Sequence, residues 1–354
     1  MTSPKFVISV PIGAYHPLLR DCLQSLAVQE PKPAVAILDA SGDARVAEVI
    51  AEFADMAVYH RAGPDGGQSD AIVEGWNHVD GDILGWLNAD DALYPGALRL
   101  AARQFEKNPD TDLFYGHSLI IDDNEAVKGY HWAVEPPSET ILSGDIISQP
   151  SCFFRRKKID EIGGLNRDLH YTMDWDLWVR LWRAEARFDY TEEVLSRVLW
   201  SSDAKTGGFN RARRKELERI IGASSGLARR MKSRAGFALH HLFEYATPAF
   251  AANALRGLPL RRMRTINGLD RLGRFQDTAS LPLVHYRPHN MKGLTVNIQA
   301  TSPVSISAGG ATLEAAGAGA HALLFDAQGC ETFTLRLENH GGKPAKLVSV
   351  QWRD

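Results

Sequence analysis

The chain has 354 residues, 44% of them apolar and 23% charged, with a formal net charge of −3 at pH 7. Those proportions belong to a soluble globular protein, long enough for one large domain and a smaller one, and they exclude a disordered or low-complexity polymer. A net charge this close to zero points to no particular partner.

Three cysteines, Cys22, Cys152 and Cys330, stand too far apart for a metal spacing or a disulfide framework, so a reducing cytoplasm is the natural compartment. The opening apolar run is interrupted by Pro11 and is too short for a signal-peptide core. No stretch approaches the roughly 20 apolar residues that span a bilayer.

In chain order, "KFVISVPI" reads as a buried strand, and "HPLLRDCLQSLAVQE" carries Leu18, Leu19, Cys22, Leu23 and Leu26 at helical spacing. The strand "AVAILDAS", the helix "ARVAEVIAEFA", the strand "MAVYHRAG" and the helix "SDAIVEGWNHV" follow. Next come the strand "DILGWLNADD" and the helix "PGALRLAARQFEKNP", with Pro95 near the first turn, where proline is tolerated. This alternation predicts a mostly parallel sheet covered by helices on both faces. Such sheets bind ligands beyond the carboxyl ends of their strands.

Residues 205–274 break the rhythm. They hold sixteen lysines and arginines against four acids (Glu216, Glu218, Glu244 and Asp270), interleaved with apolar patches such as "FALHHLFEYATPAFAANAL". From 281 onward, Val, Ile, Thr, Leu and Phe alternate with polar residues between Gly and Asn turns, the pattern of a small antiparallel β-domain. The expected organisation is an α/β domain over 1–204, a basic amphipathic helical segment over 205–280 and a small β-sandwich-like domain over 281–354.

The stretch "GDILGWLNADDALYPG" ends a hydrophobic strand in Asn88, Asp90 and Asp91, with no basic residue nearby. Adjacent carboxylates repel each other. They are either a solvated loop cap or a place for a divalent cation. Asp39 ends another strand in "ILDASGD", and the loop "GPDGGQSD" sets Gly66 and Gly67 before a polar helix start. In "HYTMDWDLWVRLW", Asp174 and Trp178 are four apart and share a helix face. Chemically, a cation can neutralise a departing diphosphate, and a carboxylate can take the proton of an attacking hydroxyl.

Taken together and in order, "FVISVPI", "ILDASGD", "GGQSDAIVEGWNHVDGDILGWLNADD", "SQPSCFFRRKKIDEIGGLNRDLHYTMDWDLW" and "DAKT" resemble the nucleotide-sugar glycosyltransferases of family 2, over roughly residues 5–205. The resemblance implies a GT-A (Rossmann-like) fold and inverting sugar transfer from a nucleoside-diphosphate donor. Asp39 matches the acid that hydrogen-bonds the nucleobase, usually uracil, which implies a UDP-sugar. Asn88, Ala89 and Asp90 match the Asp-any-Asp metal motif, Asp174 the catalytic base, and Trp178 the tryptophan that closes that motif. Asp65, Gly67, Gln68 and Asp70 fall in the loop that borders the nucleotide or donor sugar. Two departures stand out. Position 88 is Asn, and "LSRVLWSSDAKT" lacks the histidine that often completes the metal site. Asp90, the diphosphate and water would then hold Mn2+ or Mg2+, weakly without nucleotide.

Plainer roles stay open beside these. Asp39 can cap a turn with Ser41, Gly66 and Gly67 can be turn glycines, and Asp174 can be a helix N-terminal acid favoured by the macrodipole. Asp176, on a different face, reads as structural. Trp175, with Trp178 and Trp182, reads as core or acceptor cleft, and His131 and Trp132 as an acceptor loop or plain surface. The basic segment reads as a solvated face or as an interfacial helix pair on anionic lipid, which would place the protein peripherally on the inner face of the membrane. No recognition motif points to nucleic acid. A glycan or lipid-linked glycan is the implied acceptor. Two rival functions remain. A sugar nucleotidyltransferase would want a basic, glycine-rich phosphate loop that "SVPIGAYHPLLR" lacks. The other is a glycan-binding protein whose transferase site is degenerate.

Overall fold

The structure, a computed structural model, describes residues 4–121, 127–131, 139–142, 145–199, 211–222, 227, 231, 235, 267–270, 273–284, 293–326 and 332–353. Two compact units divide the chain. One comprises Met1–Ser118, Ala133–Val198 and Ser202–Ala238, the other Leu119–Trp132, Leu199–Ser201 and Leu239–Asp354.

The first unit opens with β1 (Phe6–Ile12), α1 (Leu19–Ala27), β2 (Ala34–Asp39), α2 (Ala44–Glu52), β3 (Ala57–Ala62), α3 (Gln68–His78) and β4 (Ile83–Trp86). A two-residue strand, β5 (Ala92–Leu93), precedes α4 (Ala97–Lys107). Then come β6 (Leu113–Ile121), whose residues 119–121 fall in the second unit, β7 (Val127–His131), which belongs wholly to the second unit, β8 (Cys152–Arg155), α5 (Arg156–Glu161), α6 (Met173–Arg183), β9 (Phe188–Leu199), whose last residue falls in the second unit, and α7 (Arg211–Gly222). The strands lie in the order β3-β2-β1-β4-β8-β6-β9-β5, with β7 beside β6. β1 pairs in parallel with β2 and β4, and β2 with β3; β8 then joins β4 antiparallel.

Both faces of this sheet are covered, which is why its central strands read as unbroken apolar runs. From β1, Phe6, Ile8, Val10 and Ile12 pack with Leu19 and Leu23 of α1, Val46 of α2 and Leu98 of α4. Val7 faces the other way, among Ile72 and Trp76 of α3 and Leu177 and Trp178 of α6. Gly75 lets α3 approach closely, because a Cβ there would lie 2.3 Å from Ser9 Oγ and 2.9 Å from Ala36 Cβ. The Ser9 hydroxyl donates to the Ile72 carbonyl at 3.0 Å across that contact. α4 starts later than its sequence suggests. Gly96, at φ 84°, is the N-cap, so Pro95 stands ahead of the helix and not in its first turn.

The second unit contains β10 (Arg274–Phe275), β11 (Thr278–Val284), β12 (Gly293–Ala300), β13 (Val304–Ala308), β14 (Ala311–Ala315), β15 (Gly319–Asp326), β16 (Thr332–Asn339) and β17 (Ala345–Arg353). They form two four-stranded sheets, β10-β17-β12-β15 and β11-β16-β13-β14. Their pairings are antiparallel. Alternate residues such as Leu294, Val296, Ile298, Val304 and Ile306 are buried, the period-two signature of sheets with one packed face. The first of these strands begins at Arg274, inside the basic stretch. Arg274 is held there by Asp270, which accepts from its guanidinium at 2.9 Å. Among the described residues, no helix is long and apolar enough to cross a membrane.

Candidate functional site

The ends of the parallel strands are tied together by backbone hydrogen bonds. Ala40 N donates to Ile12 O and Gly63 N to Asp39 O, each at 2.8 Å. Asp39 is buried, and its Oδ1 accepts from the Ser41 backbone N–H at 2.8 Å and from the Ser41 hydroxyl. The turn-capping role is therefore present, and both hydrogen bonds use the same oxygen.

The glycine loop is organised around Arg61. Its Nε donates to both Glu74 oxygens, and its other nitrogens reach the Gly63 carbonyl and Asp65 Oδ2. Asp65 Oδ1 accepts from Gly67 N at 2.9 Å, so this acid folds the loop with both oxygens. Gly67 is the N-cap of α3 at φ 119°, a conformation that side-chain-bearing residues rarely adopt. Asp70 lies over Gly66, where a Cβ would come within 1.8 Å of its Oδ2, and it pairs with Arg167 at 2.9 Å.

Gln68 Nε2 donates to Asn88 Oδ1 at 2.7 Å. Asn88 Nδ2 donates to Asp91 Oδ2 at 3.0 Å and to Gln149 Oε1 at 3.4 Å, and Gln149 Nε2 donates to Trp86 O at 2.7 Å. One amide thus joins the start of α3, the end of β4 and the turn at 148–151. This gives a physical reason for asparagine at 88. Asp91 is buried, and a second carboxylate facing it would repel.

Asp90, half-buried, sits beside this network. The buried Cys22 thiol is pushed well up, first by burial and then by the charges of Asp91, Asp90 and Asp21, with Arg197 opposing. Arg197 pairs with Asp21 at 3.1 Å, both largely buried. Sequence reasoning missed Asp21, Arg197 and Gln149, and it left Asp91 without a role. The available signal for Arg197 was a lone cation in the apolar run "VLSRVL". Among the described residues, no three His, Cys, Asp or Glu side chains group to hold a metal. The donor set is hard carboxylate oxygen beside a protonated thiol. It suits a hard divalent cation that takes most of its ligands from water.

α6 brings the remaining acid. Asp174, in its first turn and half-buried, accepts from Trp175 N at 2.8 Å. Ser69 Oγ donates to Met173 Sδ at 2.8 Å, which joins the first turns of α3 and α6. The His170 ring stands over Gly67, 3.5 Å from where a Cβ would be. The segments of Asp39, Gly67–Gln68, Asn88–Asp91 and Asp174 are therefore linked through direct contacts. Asp176 points elsewhere and pairs with Arg180 at 2.7 Å.

The acceptor-side expectation for Trp175 and Trp178 does not match their placement. Trp175 is 2% exposed and donates its Nε1 to Ile141 O at 2.6 Å. Trp178 is fully buried, nearly parallel to Trp86 with centroids 6.2 Å apart. Both belong to the apolar face that α6 lays on the sheet, so neither offers surface to an acceptor. His131 ends β7, in the second unit. Trp132, "DAKT" and Cys330 fall outside the described residues.

Residues 9–163 match the family model for glycosyl transferase family 2. An uncharacterised glycosyltransferase of Rickettsia typhi is 26% identical over 219 residues, 58% of this chain and 66% of that protein. A PGL/p-HBAD biosynthesis glycosyltransferase of Mycobacterium bovis is 28% identical over 187 residues, 51% of this chain and 70% of that protein. The chain spans just under two thirds of the Rickettsia typhi relative and 35% of one from Rickettsia felis. The fold is similar to S. aureus TarS 1–349 solved with UDP-GlcNAc, with a TM-score of 0.50 at 14% identity, covering 75% of this chain and 85% of that one. The mostly parallel sheet with its helices is accordingly a GT-A fold, and residues 9–163 are similar to glycosyl transferase family 2.

Proposed function

We propose that the first unit is an inverting, metal-dependent glycosyltransferase. It moves a sugar from a UDP-linked donor to a hydroxyl of a surface glycan or lipid-linked glycan precursor. The observation that carries this reading is the convergence of Asp39, the Gly67 loop, the Asn88–Asp91 turn and the start of α6 at one end of the sheet. In this reading Asp39 receives the nucleobase, with Oδ1 set by Ser41. The loop from Gly63 to Asp70 borders the diphosphate and donor sugar, at the N-terminus of α3, where anions are favoured. Asp90 would hold Mn2+ or Mg2+, with Asn88 and Asp91 behind it. When bound, the cation would neutralise charge on the leaving diphosphate. Asp174 takes the acceptor proton from the side opposite the leaving group, which gives inversion.

The direct test is a thermal-shift panel of nucleotide sugars with and without Mn2+. A ligand that binds only the native state adds about 2.7 kcal/mol of stability at a hundredfold excess over its Kd. We expect a UDP-sugar to raise the midpoint, more so with Mn2+. No shift with any nucleotide sugar would refute the donor assignment.

The basic segment is assigned to an anionic lipid surface. Leu227 and Met231 support this reading: four apart, helical and 79% and 58% exposed, they sit in sequence among Arg229, Arg230, Lys232 and Arg234. Apolar side chains flanked by cations suit an interfacial helix. Liposome co-sedimentation is expected to require acidic headgroups and to weaken sharply with added salt. Equal recovery with neutral liposomes would count against the assignment.

A further inference from the structure

We propose that Glu216 is a positioning residue for Asp174, acting from α7 on the segment that leads into the base-bearing helix. The inference rests on the transferase reading. Glu216 Oε1 accepts from His170 N at 2.9 Å. Its Oε2 accepts from Tyr171 N at 2.9 Å, and from Thr172 N and Thr172 Oγ1 at 3.0 Å each. Thr172 is the N-cap of α6, yet its side chain makes no capping hydrogen bond to its own helix. Its hydroxyl donates to Glu216 instead. The start of α6 is therefore anchored by a carboxylate more than forty residues further along the chain, where an anion is also favoured by the helix dipole.

Two further observations make this more than a surface contact. One turn beyond Glu216, Ile220 is 4% exposed and belongs to the same core cluster as Trp178, so the face of α7 that carries Glu216 is seated on the first unit. The anchored segment also serves both sides of the candidate site. His170 stands over Gly67 of the donor loop, and Asp174 follows Thr172 by two residues. Freeing three consecutive N–H groups would let His170 and the first turn of α6 move together. A misplacement of about 1 Å at a reacting group can cost about a hundredfold in rate. α7, like α6 with Asp174, lies beyond the matched residues 9–163, so the base and its proposed anchor both come from the chain that follows them.

The test uses the full chain with Glu216→Gln, which keeps size but sets an NH2 donor against N–H donors, and Glu216→Asp, which keeps the charge on a shorter arm. Hydrogen–deuterium exchange should quicken by about tenfold or more over residues 170–172 in Glu216→Gln. Its kcat should fall by roughly ten- to a hundredfold. Nucleotide-sugar Kd should stay within about threefold of wild type, and Glu216→Asp should recover part of the loss. Unchanged exchange, or faster exchange with unchanged kcat, would overturn the proposal. So would a parallel loss of Kd, kcat and thermal midpoint, which marks a purely structural role. Wild type that turns over no nucleotide sugar would fail the transferase reading itself, and this inference with it.

Discussion

Asp174→Asn is expected to lower sugar transfer by at least about a hundredfold while leaving nucleotide-sugar affinity near that of wild type, the usual scale for loss of a general base. The amide keeps the size of the side chain and can still accept the 2.8 Å hydrogen bond from Trp175 N, but it cannot take a proton. Asp176→Asn is the internal comparison. The two acids are separated by about 200° around the helix, so only one can face the sugar. Asp176 is already paired with Arg180, whose Nη1 donates to Ile162 O at 3.1 Å, so this pair ties α6 to the preceding turn. Its loss should appear as roughly 1 kcal/mol of stability, read by thermal or urea unfolding, with transfer largely retained. Steady-state transfer with isothermal donor binding separates the two. The reverse pattern would make Asp176 the base, and full activity in both would remove direct displacement from consideration.

Asp90→Ala is expected to abolish turnover, to within background, with a thermal midpoint close to that of wild type. The residue is half-buried in a turn at a strand end, and removing it opens no cavity in the apolar core. What is lost is the carboxylate assigned to the cation, without which the diphosphate leaves with its charge uncompensated. In wild type, EDTA should stop transfer, and Mn2+ or Mg2+ should restore it. The additional thermal stabilisation that Mn2+ gives in the presence of a UDP-sugar should vanish in the variant. Wild-type activity that survives EDTA unchanged would defeat the metal assignment. Asp91→Asn should behave differently. Asp91 is 3% exposed and accepts from Asn88, so its replacement would place two amides face to face and disturb the Gln68–Asn88–Gln149 network. Its cost should appear in stability as well as in rate.

The sequence alone determined the alternation of strands and helices and the mostly parallel sheet. It also determined the polar residues that close each strand, because these are local signals. A strand buried on both faces must be apolar throughout, a covering helix must repeat its apolar residues every three to four positions, and a chemistry-bearing residue must stand where the strand stops. Asp39, Asn88 and Asp90 were legible for that reason. The tertiary structure alone decided the partners. Asp21 meets Arg197 across 176 residues, Glu216 reaches His170–Thr172 across 44 to 46, and Asn88 turns inward to Asp91 and Gln149. It also decided that Trp178, on the same helix face as Asp174 by spacing, fills the core against Trp86 while the acid stays half-exposed at the helix start. A carboxylate or an arginine has the same sequence context whether it is solvated or buried against a partner. What distinguishes the two is which surfaces meet when helices settle on the sheet, and that depends on packing between segments that no local period records.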